Sequence, residues 1–208
     1  MLDRTGLAAG AILIVGALPM SAAADSYKGP GFSGDAFVSN GAQEPQMIGS
    51  VHVGADGFRM NIEDQGRRMA SVVRWSENTM YSLFLDQKAY MEMPAEQAGM
   101  EAYENRPCVG YRNSEKMGTD TVDGRQVEKW RCTGELTPAQ GRPPGDATTW
   151  YDSELEFEIR IMRDSGETFE VRNVNVGPQD SGLFEVPEDF RELDMEALMR
   201  QMQQQQQQ

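Results

Sequence analysis

Residues 150–176 read WYDSELEFEIRIMRDSGETFEVRNVNV. Leu155, Phe157, Ile159 and Ile161 alternate with Glu154, Glu156, Glu158 and Arg160. A period of two is the pattern of a β-strand with one apolar and one charged face. Asp164-Ser165-Gly166 predicts a turn. Thr168 to Arg172 begin a return strand, and Val174 and Val176 continue it on the other parity. The parity change near Asn173 predicts a bulge or a bend. The stretch reads as a long hairpin, apolar on one side and strongly charged on the other.

The same periodicity extends towards the N-terminus. Phe37 and Val38 mark a first short strand over 34–40, and Met47, Ile48, Val51 and Val53 a second. Ala55-Asp56-Gly57 predicts a hairpin turn, in which Asp-Gly supplies positive φ. Phe58, Met60 and Ile62 then alternate with Arg59, Asn61 and Glu63. Asp64-Gln65-Gly66 turns again, and Met69, Ser71, Val73 and Trp75 run in phase. Strands over 79–85 and 89–93 follow, with Leu83 and Leu85 in the first of them. Short links between consecutive strands predict a β-meander. Pro94 to Glu104 shifts to Ala, Glu, Gln and Met and reads as a short helix with proline at its first turn. Another hairpin turns at Asp123-Gly124, and residues 134–146 read as a Gly/Pro-rich loop. Glu188 to Met202 reads as a terminal helix, with Met195, Leu198, Met199 and Met202 forming an apolar stripe. Residues 203–208 are all glutamine, a low-complexity tail predicted to be disordered.

The N-terminus reads as an export signal. Arg4 precedes an apolar run from Leu7 to Met20, and Ser21-Ala22-Ala23-Ala24 precede Asp25. This is the charged, apolar and small-residue order of a cleavable signal peptide over 1–24. An uncleaved anchor is the alternative, for which the run is short. The expected mature chain is one domain over 25–202, periplasmic, with no stable membrane span. The chain carries 33 acidic and 19 basic residues, a net charge of −14. Removing residues 1–24 takes away one charge of each sign and leaves the balance unchanged. So acidic a surface repels phosphate backbones and argues against nucleic-acid binding. Cys108 and Cys132 are the only cysteines. In an oxidising compartment such a pair predicts a disulfide. The redox alternative lacks the C-x-x-C spacing that lowers a thiol pKa.

The order of motifs resembles a known group. It runs from the Asp-Gly meander through Gly118-Thr119-Asp120-Thr121-Val122-Asp123-Gly124, followed by Val127, Lys129 and Trp130. Thr148-Thr149-Trp150-Tyr151 then leads into the hairpin, and Leu183-Phe184-Glu185-Val186-Pro187 closes the pattern. Over roughly residues 37–193 the chain resembles uncharacterised exported proteins related to the LolA/LolB-type lipoprotein carriers. The resemblance implies a mainly β, α+β fold. Its curved antiparallel sheet would form an open half-barrel with one or two covering helices. The carriers' gating arginine is placed by no motif here, although Arg59, Arg74 and Arg160 all stand on predicted strands.

No reaction is legible. His52 is the only histidine, which leaves no histidine-based triad or multi-histidine metal site. Glu154, Glu156 and Glu158 at strand spacing suit acid–base work or a cation on one reading, and a solvated face on the other. No phosphate loop, nucleophile elbow or dinucleotide fingerprint is present. The sequence therefore predicts no catalytic residue, no metal and no cofactor. Methionine is abundant, with 14 in the chain. Met60, Met69, Met80, Met91 and Met93 read as ordinary core or as an adaptable apolar cavity, and Met91 and Met93 admit a third reading, a soft copper(I) site with His52. The cavity reading predicts a lining of Phe58, Met60, Ile62, Val73, Trp75, Leu83, Leu85, Phe157, Ile159 and Ile161. Its ligand would be a lipid, an acyl chain or a lipoprotein. The alternative is an envelope assembly protein that binds a partner protein through a sheet edge or the C-terminal helix.

Overall fold

A computed structural model describes residues 27–41, 43–95, 106–136 and 145–193. Among these residues twelve strands form one open, curved sheet, a half-barrel. They are β1 (Phe32–Asn40), β2 (Gln46–Val53), β3 (Gly57–Asp64), β4 (Arg67–Arg74), β5 (Thr79–Phe84) and β6 (Ala89–Pro94). They continue with β7 (Tyr111–Val122), β8 (Arg125–Glu135), β9 (Ala147–Asp152), β10 (Phe157–Arg163), β11 (Glu167–Val176) and β12 (Arg191–Glu192). The spatial order is β12-β6-β5-β4-β3-β2-β1-β11-β10-β9-β8-β7. Two meanders thus meet where β1 pairs antiparallel with β11.

The turns follow local chemistry. Gln65 and Gly66 have φ of 51° and 76°, and Asp123 and Gly124 have 49° and 79°. Two successive positive φ angles match the right-handed twist of the flanking strands. The Asp56-Gly57 turn departs from the expectation, because Gly57 is not among the residues with positive φ. Its glycine is required by proximity. A Cβ there would lie 2.4 Å from the Val73 carbonyl oxygen and 3.1 Å from the Phe184 ring. The bulge expected near Asn173 is present. Asn173 has φ of 53°, and the β1–β11 register shifts between Ser33 and Asp35.

Two further expectations are corrected. The alternating run 154–161 is not one strand. Asp152 ends β9, a tight turn covers 153–156, and β10 begins at Phe157. The Asp152 carboxylate accepts the Glu154 and Leu155 N–H groups at 3.0 and 3.1 Å and folds the turn over itself. Leu155 is fully buried inside that turn, so it preserves the alternation without being in a strand. The second correction is at the C-terminal end. Residues 188–193 are not helical: β12 pairs parallel with β6, and Arg191 and Leu193 donate to the Lys88 and Tyr90 carbonyls. The rest of that predicted helix, the helix over 94–104 beyond Ala95, the glutamine tail and the signal segment lie outside the described residues.

The core has two parts. The first joins Phe32, Val51, Val53, Phe58, Val73 and Trp75 to Trp150, Leu155, Ile159 and Val171. The second is Ala70, Val72, Tyr81, Leu83 and Phe184. They lie on opposite faces of β4 and β5 because adjacent strand residues point opposite ways. The segment around Phe184 packs on the second face together with Leu183, Val186 and Phe190. Arg59 fastens it by donating to the Leu183 carbonyl at 2.9 Å. His52, half-buried, holds the neighbouring turn through Gln179 at 3.0 Å.

Candidate functional site

Registers place Phe32, Val53, Phe58, Val73, Met80 and Met93 in one row across β1–β6. The next row on that face is Gly34, Val51, Met60, Ser71, Ser82 and Met91. Burial declines along it, from Val51 at zero exposure to half-buried Met60 and Met91. Met69, in register with Ile62, is 41% exposed. The result is a methionine-rich apolar face that continues the first core cluster outward. Thioether side chains adapt to irregular apolar shapes, which suits such a face to a variable apolar partner.

The ten residues predicted to line a cavity separate into three places. Phe58, Val73, Trp75 and Ile159 belong to the first cluster, with Met60 and Phe157 packed against it, and Ile62 is half-buried two residues beyond Met60 on β3. Phe157 reaches across from β10, with its ring 5.3 Å from that of Phe32 and 6.2 Å from that of Phe58. Leu83 belongs to the second cluster on the opposite face, and Leu85 packs against that cluster. Ile161 lies apart, in a cavity of about 470 Å³ at the ends of β1, β10 and β11.

That cavity was not anticipated from sequence. Val38, Phe169 and Ile161 are consecutive partners across β1, β11 and β10, and they form its apolar wall. Glu44, Glu167 and Arg163 supply its charges. Arg163 is already ion-paired with Glu135 at 3.0 Å. Among the described residues no lysine or arginine pairs with Glu44 or Glu167. The volume falls within the range of small-molecule sites. The wall is assembled by the long-range β1–β11 pairing, so no local motif marks it.

The charged residues of the opening stretch are absorbed by structure. Lys129, Trp150, Arg160, Glu170 and Phe37 are successive cross-strand partners from β8 to β1. Lys129 and Arg160 lie 5.0 and 5.2 Å from the Trp150 ring centre, and the indole N–H donates to Asp120 at 2.8 Å. Arg160 and Arg172 each donate to Glu170 at 2.7 Å. Burial alone would raise the Glu170 pKa, but the two guanidiniums bring it below the ordinary value. Arg125 pairs with buried Asp152, whose hydrogen bond raises the arginine's pKa. The three glutamates do not share a strand face. Glu154 is exposed, Glu156 sits in the turn, and Glu158 is on β10. The Glu158 carboxylate accepts the Cys108 N–H at 2.8 Å, and burial raises its pKa. Cys108 and Cys132 are disulfide-bonded. Among the described residues no three His, Cys, Asp or Glu side chains are placed to hold a metal ion. No helix among them is long and apolar enough to cross a membrane.

No family model matches the chain, and no curated protein matches it. Solved structures are similar in fold. An uncharacterized conserved protein from Thermus thermophilus matches with a TM-score of 0.51 and 11% identity, over 80% of this chain and 91% of that one. PNGF-II matches with a TM-score of 0.50 and 12% identity, over 82% of this chain and 32% of its own. The similar structures include a LolA superfamily protein from Nitrosomonas europaea. It has a TM-score of 0.36 and 9% identity, over 78% of this chain and 90% of that one. At these identities the likeness to the first two is one of fold.

Proposed function

We propose that the protein is an exported, non-catalytic carrier that binds a lipid, an acyl chain or an acylated protein. The observation that carries this reading is the methionine-rich apolar face of β3–β6, half-buried and continuous with the core. Moving an acyl chain out of water onto such a face is favourable by about 0.8 kcal/mol per CH₂. The open, non-closed sheet is compatible with access to that face from one side. The signal-like residues 1–24 support export, and the charge of −14 supports solubility of the exported chain.

Native mass spectrometry of protein purified gently from periplasm, followed by solvent extraction, tests the reading. The expected result is a reproducible added mass that extracts as lipid and falls at least several-fold in Met60→Trp. A clean apo mass after incubation with membrane lipids would overturn it.

A second reading, assembly with an envelope protein, is favoured by one feature. The twelve-residue strand β7 is the outermost of the sheet, and its outer backbone edge is unpaired among the described strands. A partner strand could add there. Co-purification of a protein partner that is lost on substituting Thr119→Pro, with no lipid found, would favour this reading over carriage.

A further inference from the structure

We infer that the cavity at the ends of β1, β10 and β11 is a second ligand subsite that selects a cationic head group on an apolar chain. The inference rests on the carrier reading and adds a location and a charge preference to it. Val38, Phe169 and Ile161 form a continuous apolar wall, because they are direct partners across three adjacent strands. Phe169 packs against the first core cluster, so the wall continues the interior of the sheet. The cavity, about 470 Å³, is large enough for a chain of several carbons with its head at the opening.

The opening is acidic. Glu44 and Glu167 are both exposed there, and they outnumber the one cationic lining residue, Arg163, whose Nη1 is ion-paired with Glu135 at 3.0 Å. Occupying the cavity with a carboxylate or phosphate head would bring like charges together in a partly water-excluded place, which is unfavourable. An ammonium head at the opening would meet lining carboxylates without displacing the Arg163–Glu135 pair. The net charge of −14 acts in the same direction at longer range.

Calorimetric titration of the mature protein with dodecylammonium, dodecanoate and dodecanol, each below its aggregation concentration, tests the inference. Dodecylammonium is expected to bind about ten-fold more tightly than dodecanoate at low salt, with the margin narrowing at high salt. Glu44→Gln with Glu167→Gln is expected to shrink the margin about five-fold. Ile161→Trp is expected to abolish binding at this subsite, and Val38→Trp fills the same space from another strand should the first variant misfold. Equal binding of all three probes, lost in Ile161→Trp, would overturn the charge preference and leave carriage intact. Binding unaffected by both tryptophans but lost in Met60→Trp would overturn the location alone. No binding of any probe would overturn both the subsite and the carrier reading.

Discussion

Glu170 shows how a single residue of this sheet is governed by its neighbours. It is 6% exposed, and two arginines from adjacent positions hold its carboxylate. Its folded pKa is lowered, so the folded state holds fewer protons than the unfolded chain. Its stabilising contribution is therefore present above the unfolded value of about 4.3 and is lost as pH falls through the folded value. Glu170→Gln is expected to cost about 1.5–3 kcal/mol at pH 7. The deficit should shrink on acidification, and urea denaturation at neutral and acid pH checks it. An equal deficit at both would show that packing rather than charge makes the contribution. At this scale the sequence was half legible. The charged positions of 154–172 were plain, but their pairing depends on register. A lone Glu in an alternating strand looks the same whether it faces water or two guanidiniums.

At the scale of elements, the segment around Phe184 explains how the second face of the sheet is closed. Phe184 is 1% exposed and joins Val72, Tyr81 and Leu83, while Asp180 caps its 3-10 turn by accepting the Gly182 N–H at 2.8 Å. Phe184→Ala is expected to destabilise the protein by about 3–5 kcal/mol. It should also raise hydrogen exchange at the Arg191 and Leu193 amides, which pair with β6. Loss of stability without faster exchange there would mean that the two features are independent. The following stretch departs from the expected helix for a physical reason. Phe190 and Leu193 are spaced as on one helical face, but Phe190 is fixed to the second cluster and the backbone after it pairs with β6. Tertiary pairing overrides spacing over so short a run.

For the whole molecule, the disulfide is the covalent link between the segment before β7 and strand β8. Cys108 and Cys132 are 24 residues apart, with Cα atoms 5.3 Å apart. Closing such a loop is worth about 3 kcal/mol on the chain-entropy model. Replacing both cysteines by serine is expected to lower stability by about that amount, and reductant should lower the native protein equally while leaving the double variant unchanged. A reductant effect on the double variant would show that something other than the crosslink responds. The same strand, β8, carries Val127 into the main core and Lys129 onto Trp150. Loosening it should therefore propagate to β9, whose residues are buried along its full length.

The sequence alone determined the kind of structure: strands of period two, Asp-Gly and Gln-Gly turns, a bulge at Asn173 and a cysteine pair. These are local properties, because alternation, positive φ and side-chain type act over a few residues. It also marked most of the apolar residues that meet in the core, since apolar positions must leave water whichever strands adjoin. Tertiary structure alone decided which strands are neighbours. Pairing β1 with β11 brings Val38 beside Phe169 and creates the cavity, and pairing β6 with β12 makes residues 191–192, where a helix was expected to begin, an edge strand. Leu155 carries the same lesson at its smallest. A buried residue inside a turn continues an alternating pattern, so periodicity shows which residues seek the interior and leaves open whether the chain is extended when it takes them there.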